Sequence, residues 1–172
     1  MAGLTALAGR PESAVLRSRD GPGDATMCPM DVTAQRVIRA PREKVAGYVM
    51  DWRNDPEWTA IKTVTLSREA GGGGYGAGAQ VTRRAYFLGR WTDYVMDVER
   101  FEPPGLITLR SVKAPVPMQV SYEFQPHPEG TLIIAVLSTA DGRMARLAGP
   151  VMRALLRATV DGDLKKLASK VS

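Results

Sequence analysis

The sequence predicts an α+β fold: a curved seven-stranded antiparallel sheet wrapped around a long C-terminal helix, with two short helices after the first strand. Three observations carry this. Between Arg143 and Val171, apolar residues (Met144, Ala148, Val151, Met152, Leu155, Leu156, Val160, Leu164, Leu167 and Val171) recur at three- and four-residue steps, one broad face of an α-helix. Upstream, short segments alternate apolar and polar residues with period two, as half-buried strands do. Turn residues separate six of these segments in succession, and consecutive hairpins build a meander. An apolar helical stripe needs cover, and a sheet of this size twists and curls. Wrapping the concave face around the helix satisfies both, and leaves volume for a pocket near the wide end.

The totals fit this picture. A chain of 172 residues suits one domain with a sizeable core. Cys28 is the single cysteine, so no internal disulfide and no cysteine metal cluster is expected. No apolar run approaches a membrane span. The formal charge is +5, but basic and aromatic residues are not interleaved as a nucleic-acid platform requires, so no nucleic-acid partner is expected.

Residues 1–29 carry Gly3, Gly9, Pro11, Gly21, Pro22, Gly23 and Pro29 with no apolar period, and read as a disordered tail before a domain spanning 30–172. Arg10 follows the short apolar patch instead of preceding a longer one, which argues against a secretory signal. With no signal and no span, the cytoplasm is the default location. Met27 and Met30 stand where the fold begins and are candidate start codons; a native N-terminus at Met1 or Ala2 would exclude them.

Asp31 to Arg39 reads as the first strand, with Val32, Ala34 and Ile38 in phase. Arg36 breaks that phase and must face a cavity, a bulge or an edge. Pro41 opens a helix through about Asp51, with Val45, Tyr48 and Val49 apolar, and Trp52 to Trp58 forms a second short turn or helix. Ile61 to Ser67 alternates as a strand. Gly71, Gly73 and Gly76 satisfy G-x-G-x-x-G, yet Gln80 to Phe87 is strand-like where a dinucleotide site needs a helix, and no Gly-Lys-Ser/Thr follows. The glycines therefore predict a flexible hairpin loop.

Trp91 to Phe101 sets Thr92, Tyr94, Met96 and Val98 against Asp93, Asp97 and Glu99, and this alternation places the carboxylates toward solvent. Leu106 to Val112 points Ile107, Leu109 and Ser111 inward. Met118, Val120, Tyr122 and Phe124 alternate against Gln119, Ser121, Glu123 and Gln125. Leu132 to Thr139 is apolar on both phases, as a central strand is. Gly149-Pro150 interrupts the early part of the final stripe, and Pro150 suits a first helical position. A helix from there would run about 33 Å, with Arg146, Arg153, Arg157, Asp161 and Lys165 opposite its apolar face.

Several motifs, in this order, resemble the START-like, helix-grip (SRPBCC) superfamily, in its polyketide cyclase/dehydrase branch. They are Ile38-x-Ala40-Pro41-x-x-x-Val45, Asp51 before Pro56-x-Trp58, Gly76-x-Gly78 before a strand, Phe101-Glu102-Pro103-Pro104, Tyr122-x-Phe124 before Gly130-Thr131, and Asp163-Leu164-Lys165-Lys166-Leu167. The resemblance covers about Asp31 to Val171. It implies a deep hydrophobic cavity between sheet and C-terminal helix, in members that include lipid and quinone carriers and aromatase/cyclases; a fold alone does not determine chemistry.

The residues themselves offer little catalytic apparatus. His127, the single histidine, lies between two prolines in a turn, so a His general base, a Ser-His-Asp triad and a His-ligated zinc site are all unsupported. Tyr94, Tyr122, Ser111 and Ser138 are the polar groups expected to face inward, with Arg83 a further candidate. Tyr94 and Tyr122 could orient a ligand oxygen, or serve as proton-transfer groups. Strand phase and helix stripe place Trp58, Tyr94, Met96, Leu109, Met118, Tyr122, Val151 and Leu155 at a ligand site; no cofactor and no metal are expected. Three readings follow: a carrier of a small hydrophobic or aromatic molecule (lipid, quinone or polyketide-like), a cyclase/aromatase-type enzyme, or a protein-interaction module.

Overall fold

The computed structural model describes residues 30–87, 89–139 and 142–172. The expected tail and candidate start at Met27 lie outside these residues. Strand β1 (Met30–Ile38) leads into helix α1 (Arg42–Met50), a 3-10 turn (Trp52–Asn54) and the short helix α2 (Asp55–Trp58). Six strands follow: β2 (Ile61–Arg68), β3 (Gln80–Phe87), β4 (Arg90–Glu102), β5 (Leu106–Lys113), β6 (Met118–His127) and β7 (Gly130–Thr139). Helix α3 (Gly142–Val171) ends the chain. Every strand pair is antiparallel, and the seven strands lie in the order β1-β7-β6-β5-β4-β3-β2. The meander is thus as the alternation predicts, with β1 and β2 as the two edges.

One face of the sheet is lined by Val81, Met96, Val98, Ile107, Leu109, Phe124, Ile133 and Ala135, all buried. Burial of these side chains, at roughly 1.5–3 kcal/mol each, drives the sheet onto its helices. From the other side come Val45, Ala46, Val49 and Met50 of α1, Trp58 of α2, and Leu164, Leu167 and Val171 of α3. Helix α3 packs chiefly on β1 and α2. Arg36 sits on the inner phase of the edge strand β1, opposite Ile133 in an unbroken register, so no bulge is needed to place it.

The long helix differs from expectation at its start. It begins at Gly142, and Pro150 lies inside it. A proline is compatible with helical φ but forfeits one hydrogen bond and crowds the preceding turn, at about 3 kcal/mol. Gly149 relieves part of this, since it has no Cβ to clash with the proline ring that normally expels its predecessor from the α region.

The β6–β7 turn is locked by Gly130, whose φ of 135° suits glycine alone, and a Cβ there would collide with the carbonyl oxygen of Ile38 and lie 2.9 Å from the Ala40 nitrogen. The neighbouring Thr131 hydroxyl donates to the Ala40 carbonyl at 2.8 Å, fixing the turn after β1 to the start of β7. Among the described residues, no helix is long and apolar enough to cross a membrane, and no group of three or more His, Cys, Asp or Glu could hold a metal ion.

Candidate functional site

The chemistry of the interior starts in the segment between α1 and β2. The Asp51 carboxylate accepts from the Arg53 backbone N–H at 3.2 Å and closes the 3-10 turn, while Asn54 Nδ2 donates to the Tyr48 carbonyl at 3.0 Å. The Thr59 hydroxyl donates to the Asp55 carbonyl at 2.7 Å and accepts from the Ile61 N–H at 3.0 Å. These bonds fix the backbone that carries Asp55 and Trp58. Asp55 is 2% exposed and Trp58 1%.

Asp55 meets Arg83, an inward residue of β3: Arg83 Nη2 lies 2.6 Å from Asp55 Oδ2. Burial pushes the Asp55 carboxyl above the usual carboxylate range, and the Arg83 guanidinium pulls it part of the way back. Burial likewise opposes the Arg83 charge, but Asp55, Tyr75 and Tyr122 hold the guanidinium protonated. Arg83 Nε, within this pair, and Trp58 Nε1, on the same short helix as Asp55, are buried without a hydrogen-bond partner among the described residues. A buried unsatisfied donor costs about 1–3 kcal/mol, so this arrangement is a poor way to build a core and a good way to receive an acceptor.

Tyr122 stands over the cluster, with its ring 5.5 Å from Trp58 in an edge-to-face arrangement. Burial raises its phenol well above 10, so at neutral pH it donates a proton in hydrogen bonds and does not act as a base. Asp163, from α3, completes the set. Burial pushes its carboxyl up to about 6, against the pull of Lys166 and of the Ala60 backbone N–H that donates to it. This folded value exceeds the 3.8 of an ordinary aspartate, so the group favours the fold below pH 3.8 and loses that contribution as pH rises through about 6. Asp163→Asn should therefore flatten the fall in unfolding temperature between those pH values; an unchanged slope would exclude this coupling.

The predicted site residues divide into three groups. Trp58, Met96 and Leu109 are buried on the inner face, and Tyr94, Met118 and Tyr122 are only partly covered there. Tyr94 is the register partner of Arg83 on β4, and burial raises its phenol as well, with a hydrogen bond to Thr92 acting in the opposite direction. Val151 and Leu155 depart from the expected enclosure: they are 76% and 41% exposed, whereas their neighbours Met152 and Leu156 are partly buried. The stripe repeats along the whole helix, but among its described side chains the buried ones, Leu164, Leu167 and Val171, lie in the C-terminal half.

A separate open groove of about 310 Å³ lies between the first helical segment and the end of β4, lined by Gly47, Met50 and Trp52, by Tyr75, and by Phe101 and Pro103. The Asp51–Arg53 ion pair also lines it. None of the predicted ligand residues reaches this groove. Tyr75 ties the glycine-rich loop inward by its side chain: its ring packs edge-to-face on Phe101 at 5.5 Å, and burial raises its phenol to about 12 beside the charges of Arg83 and Asp55. Of the two tryptophans between α1 and β2, Trp52 lines the groove and Trp58 belongs to the core.

Residues 29–172 match the family model described as polyketide cyclase / dehydrase and lipid transport. The chain belongs to this polyketide cyclase/dehydrase family. Among curated proteins, no sequence match is found. Solved structures share the helix-grip architecture. A protein from Thermus thermophilus superposes with a TM-score of 0.69 at 20% identity, covering 82% of this chain and 96% of that one. A START superfamily protein from Mycobacterium smegmatis gives 0.68 at 18%, covering 83% and 96%. The Zhui aromatase/cyclase from a Streptomyces species gives 0.64 at 16%, covering 83% and 93%. Within the polyketide cyclase/dehydrase family, this chain places its polar groups on α2, β3, β6 and α3, and its one histidine outside them: His127 ends β6 and accepts the Glu129 N–H at its Nδ1, 3.2 Å away.

Proposed function

We propose that the protein binds a small hydrophobic or aromatic molecule carrying an oxygen acceptor, against the inner face of the sheet beneath α3. The observation that carries this reading is the pair of buried, unpartnered donors: Arg83 Nε, within the Arg83–Asp55 ion pair, and Trp58 Nε1, on the same short helix as Asp55. A ligand carbonyl, phenol or carboxylate would satisfy one or both, and the surrounding Met96, Leu109, Met118 and Tyr122 would cover its apolar body. Methionine suits such a lining because it adapts to irregular shapes. Lipids, quinones and polyketide-like compounds all fit this description, and a pure hydrocarbon does not. Val151 and Leu155 enter this reading as residues at the rim that a bound molecule would cover.

Native mass spectrometry of the purified protein, followed by extraction, tests it directly. The expected result is an adduct whose mass belongs to an oxygen-bearing apolar molecule. An apo mass, together with no uptake of the fluorescent probe 1-anilinonaphthalene-8-sulfonate, would reject the reading. Tyr122→Phe removes one hydroxyl and is expected to weaken retention about two- to tenfold, the worth of one net hydrogen bond.

A second reading, a cyclase/aromatase-type enzyme acting in the same place, is favoured by Asp163. Its carboxyl, pushed up to about 6, can trade a proton near neutrality while Tyr122 and Tyr94 remain protonated donors. If Tyr94→Phe and Tyr122→Phe, singly or together, left turnover of a polyketide-like substrate intact, a tyrosine-based mechanism would be wrong.

A further inference from the structure

The large apolar side chains left exposed among the described residues are Tyr86, Trp91, Val112, Val151 and Leu155. Tyr86 is next to last in β3, Trp91 second in β4 and Val112 next to last in β5. The antiparallel order brings these strand ends to the same edge of the molecule as the end of β7, from which α3 sets out. Val151 and Leu155 lie in the first half of that helix. Tyr86 and Trp91 are register partners on the outer phase of β3 and β4, opposite to buried Ala85 and Met96, whereas Val151 and Leu155 stand on the helix of the inner side; the aromatic pair at the β3–β4 turn is thus a patch of its own.

Among the described residues, the charge at this end is mainly basic. Arg84, Arg90, Lys113 and Arg153 are exposed there, against the exposed carboxylates of Asp31 and Asp93. Asp93 is itself held 3.6 Å from Arg84. Tyr86 and Trp91, each 54% exposed, pack edge-to-face at 5.3 Å, and the Arg84 guanidinium lies 5.3 Å from the centre of the Trp91 ring. A tyrosine and a tryptophan beside arginines, each aromatic with an apolar body and a polar tip, is the composition that settles at a membrane–water interface. Two large aromatic rings exposed side by side favour an interaction surface, and the basic surround complements an acidic one.

We propose that this end of the protein docks onto an anionic phospholipid bilayer. Tyr86 and Trp91 enter the headgroup region, while Arg84, Arg90 and Lys113 pair with lipid phosphates. The attraction combines buried apolar area with charge, so it should weaken with salt. The inference stands on surface residues alone and does not depend on the internal ligand.

The test is co-sedimentation of the full chain with vesicles of phosphatidylcholine, with and without phosphatidylglycerol, alongside tryptophan emission. The expected result is binding to the phosphatidylglycerol vesicles about tenfold stronger than to the neutral ones, with a blue shift that vanishes in Trp91→Ala. Tyr86→Ala with Trp91→Ala should lower partitioning about tenfold, and Arg84→Glu with Arg90→Glu should erase the preference for phosphatidylglycerol. Circular dichroism matching the wild type establishes that the variants fold. Absence of vesicle binding, equal binding to both vesicle types, or binding unchanged in the folded aromatic variant would overturn the proposal. So would a stable dimer in solution that the same aromatic substitutions dissociate, since the patch would then be covered by a second copy.

Discussion

Arg83→Met is expected to cost about 3–5 kcal/mol of folding stability at neutral pH, because it strips the counter-charge from a carboxylate that is 2% exposed. The loss should depend on pH in a defined direction. Burial already raises the Asp55 carboxyl, and without the guanidinium to oppose it the carboxyl rises further. A raised folded value means stability is greatest below the unfolded value and is lost as pH rises through the folded one. The variant should therefore recover toward the wild type in acid, where Asp55 takes up a proton. Arg83→Met combined with Asp55→Leu removes both charges and should regain most of the loss, since an apolar replacement of a buried pair is often neutral or better. Urea unfolding of the three proteins at several pH values reads all of this. Equal losses in the single and double variants would show that the pair is not coupled. Ligand retention is a separate readout: the double variant should fold and yet fail to hold an oxygen-bearing ligand.

Gly130→Ala is the second large effect. The added Cβ would run into the Ile38 carbonyl and the Ala40 nitrogen, both backbone atoms that cannot rotate aside. The φ of 135° adds its own penalty for any residue but glycine. Overpacking at about 1–3 kcal/mol and an unfavourable backbone conformation at about 1–2 kcal/mol together give a loss of roughly 2–5 kcal/mol. The damage should be local: hydrogen exchange ought to rise first along β1 and β7, which this turn joins through Thr131 and Ala40. Substitution at Gly47, where a Cβ meets open space, is the matched control and should leave exchange unchanged.

Strand phases are readable in the sequence because period-two alternation follows from the pleat itself, and the register pairs put Met96, Leu109, Tyr122 and Phe124 on one face as the alternation requires. Arg83 stands out as an inward candidate for the same reason. Asp55 does not, because a carboxylate in a four-residue helix carries no period that could reveal its direction. Asp163 offers a usable signal: it lies three residues after Val160 and four before Leu167, inside the apolar stripe, where a charge is out of place. Tyr75 is hidden by its setting, since a tyrosine among glycines gives no phase. The exposure of Val151 and Leu155 marks the limit of the helical stripe, which defines a face but not the length of it that meets the sheet.

The strand order also has a consequence for how the molecule assembles. β1 is the first strand made, yet its register partners run from Thr131 to Thr139, almost the last part of the sheet to leave the ribosome. The hairpins from β2 to β7 can form one after another as they emerge, whereas β1 must wait for β7, the last strand of the sheet. Between the two edges runs the segment that carries Asp55 and Trp58. Asp55 and Arg83 flank β2, so their ion pair can form with the β2–β3 hairpin, whereas Asp163 of α3 can join them only after β7 is made. A chain that stalls with β1 undocked therefore leaves the edge of β7 unpaired from Thr131 to Thr139 and deprives α3 of the strand it packs on most.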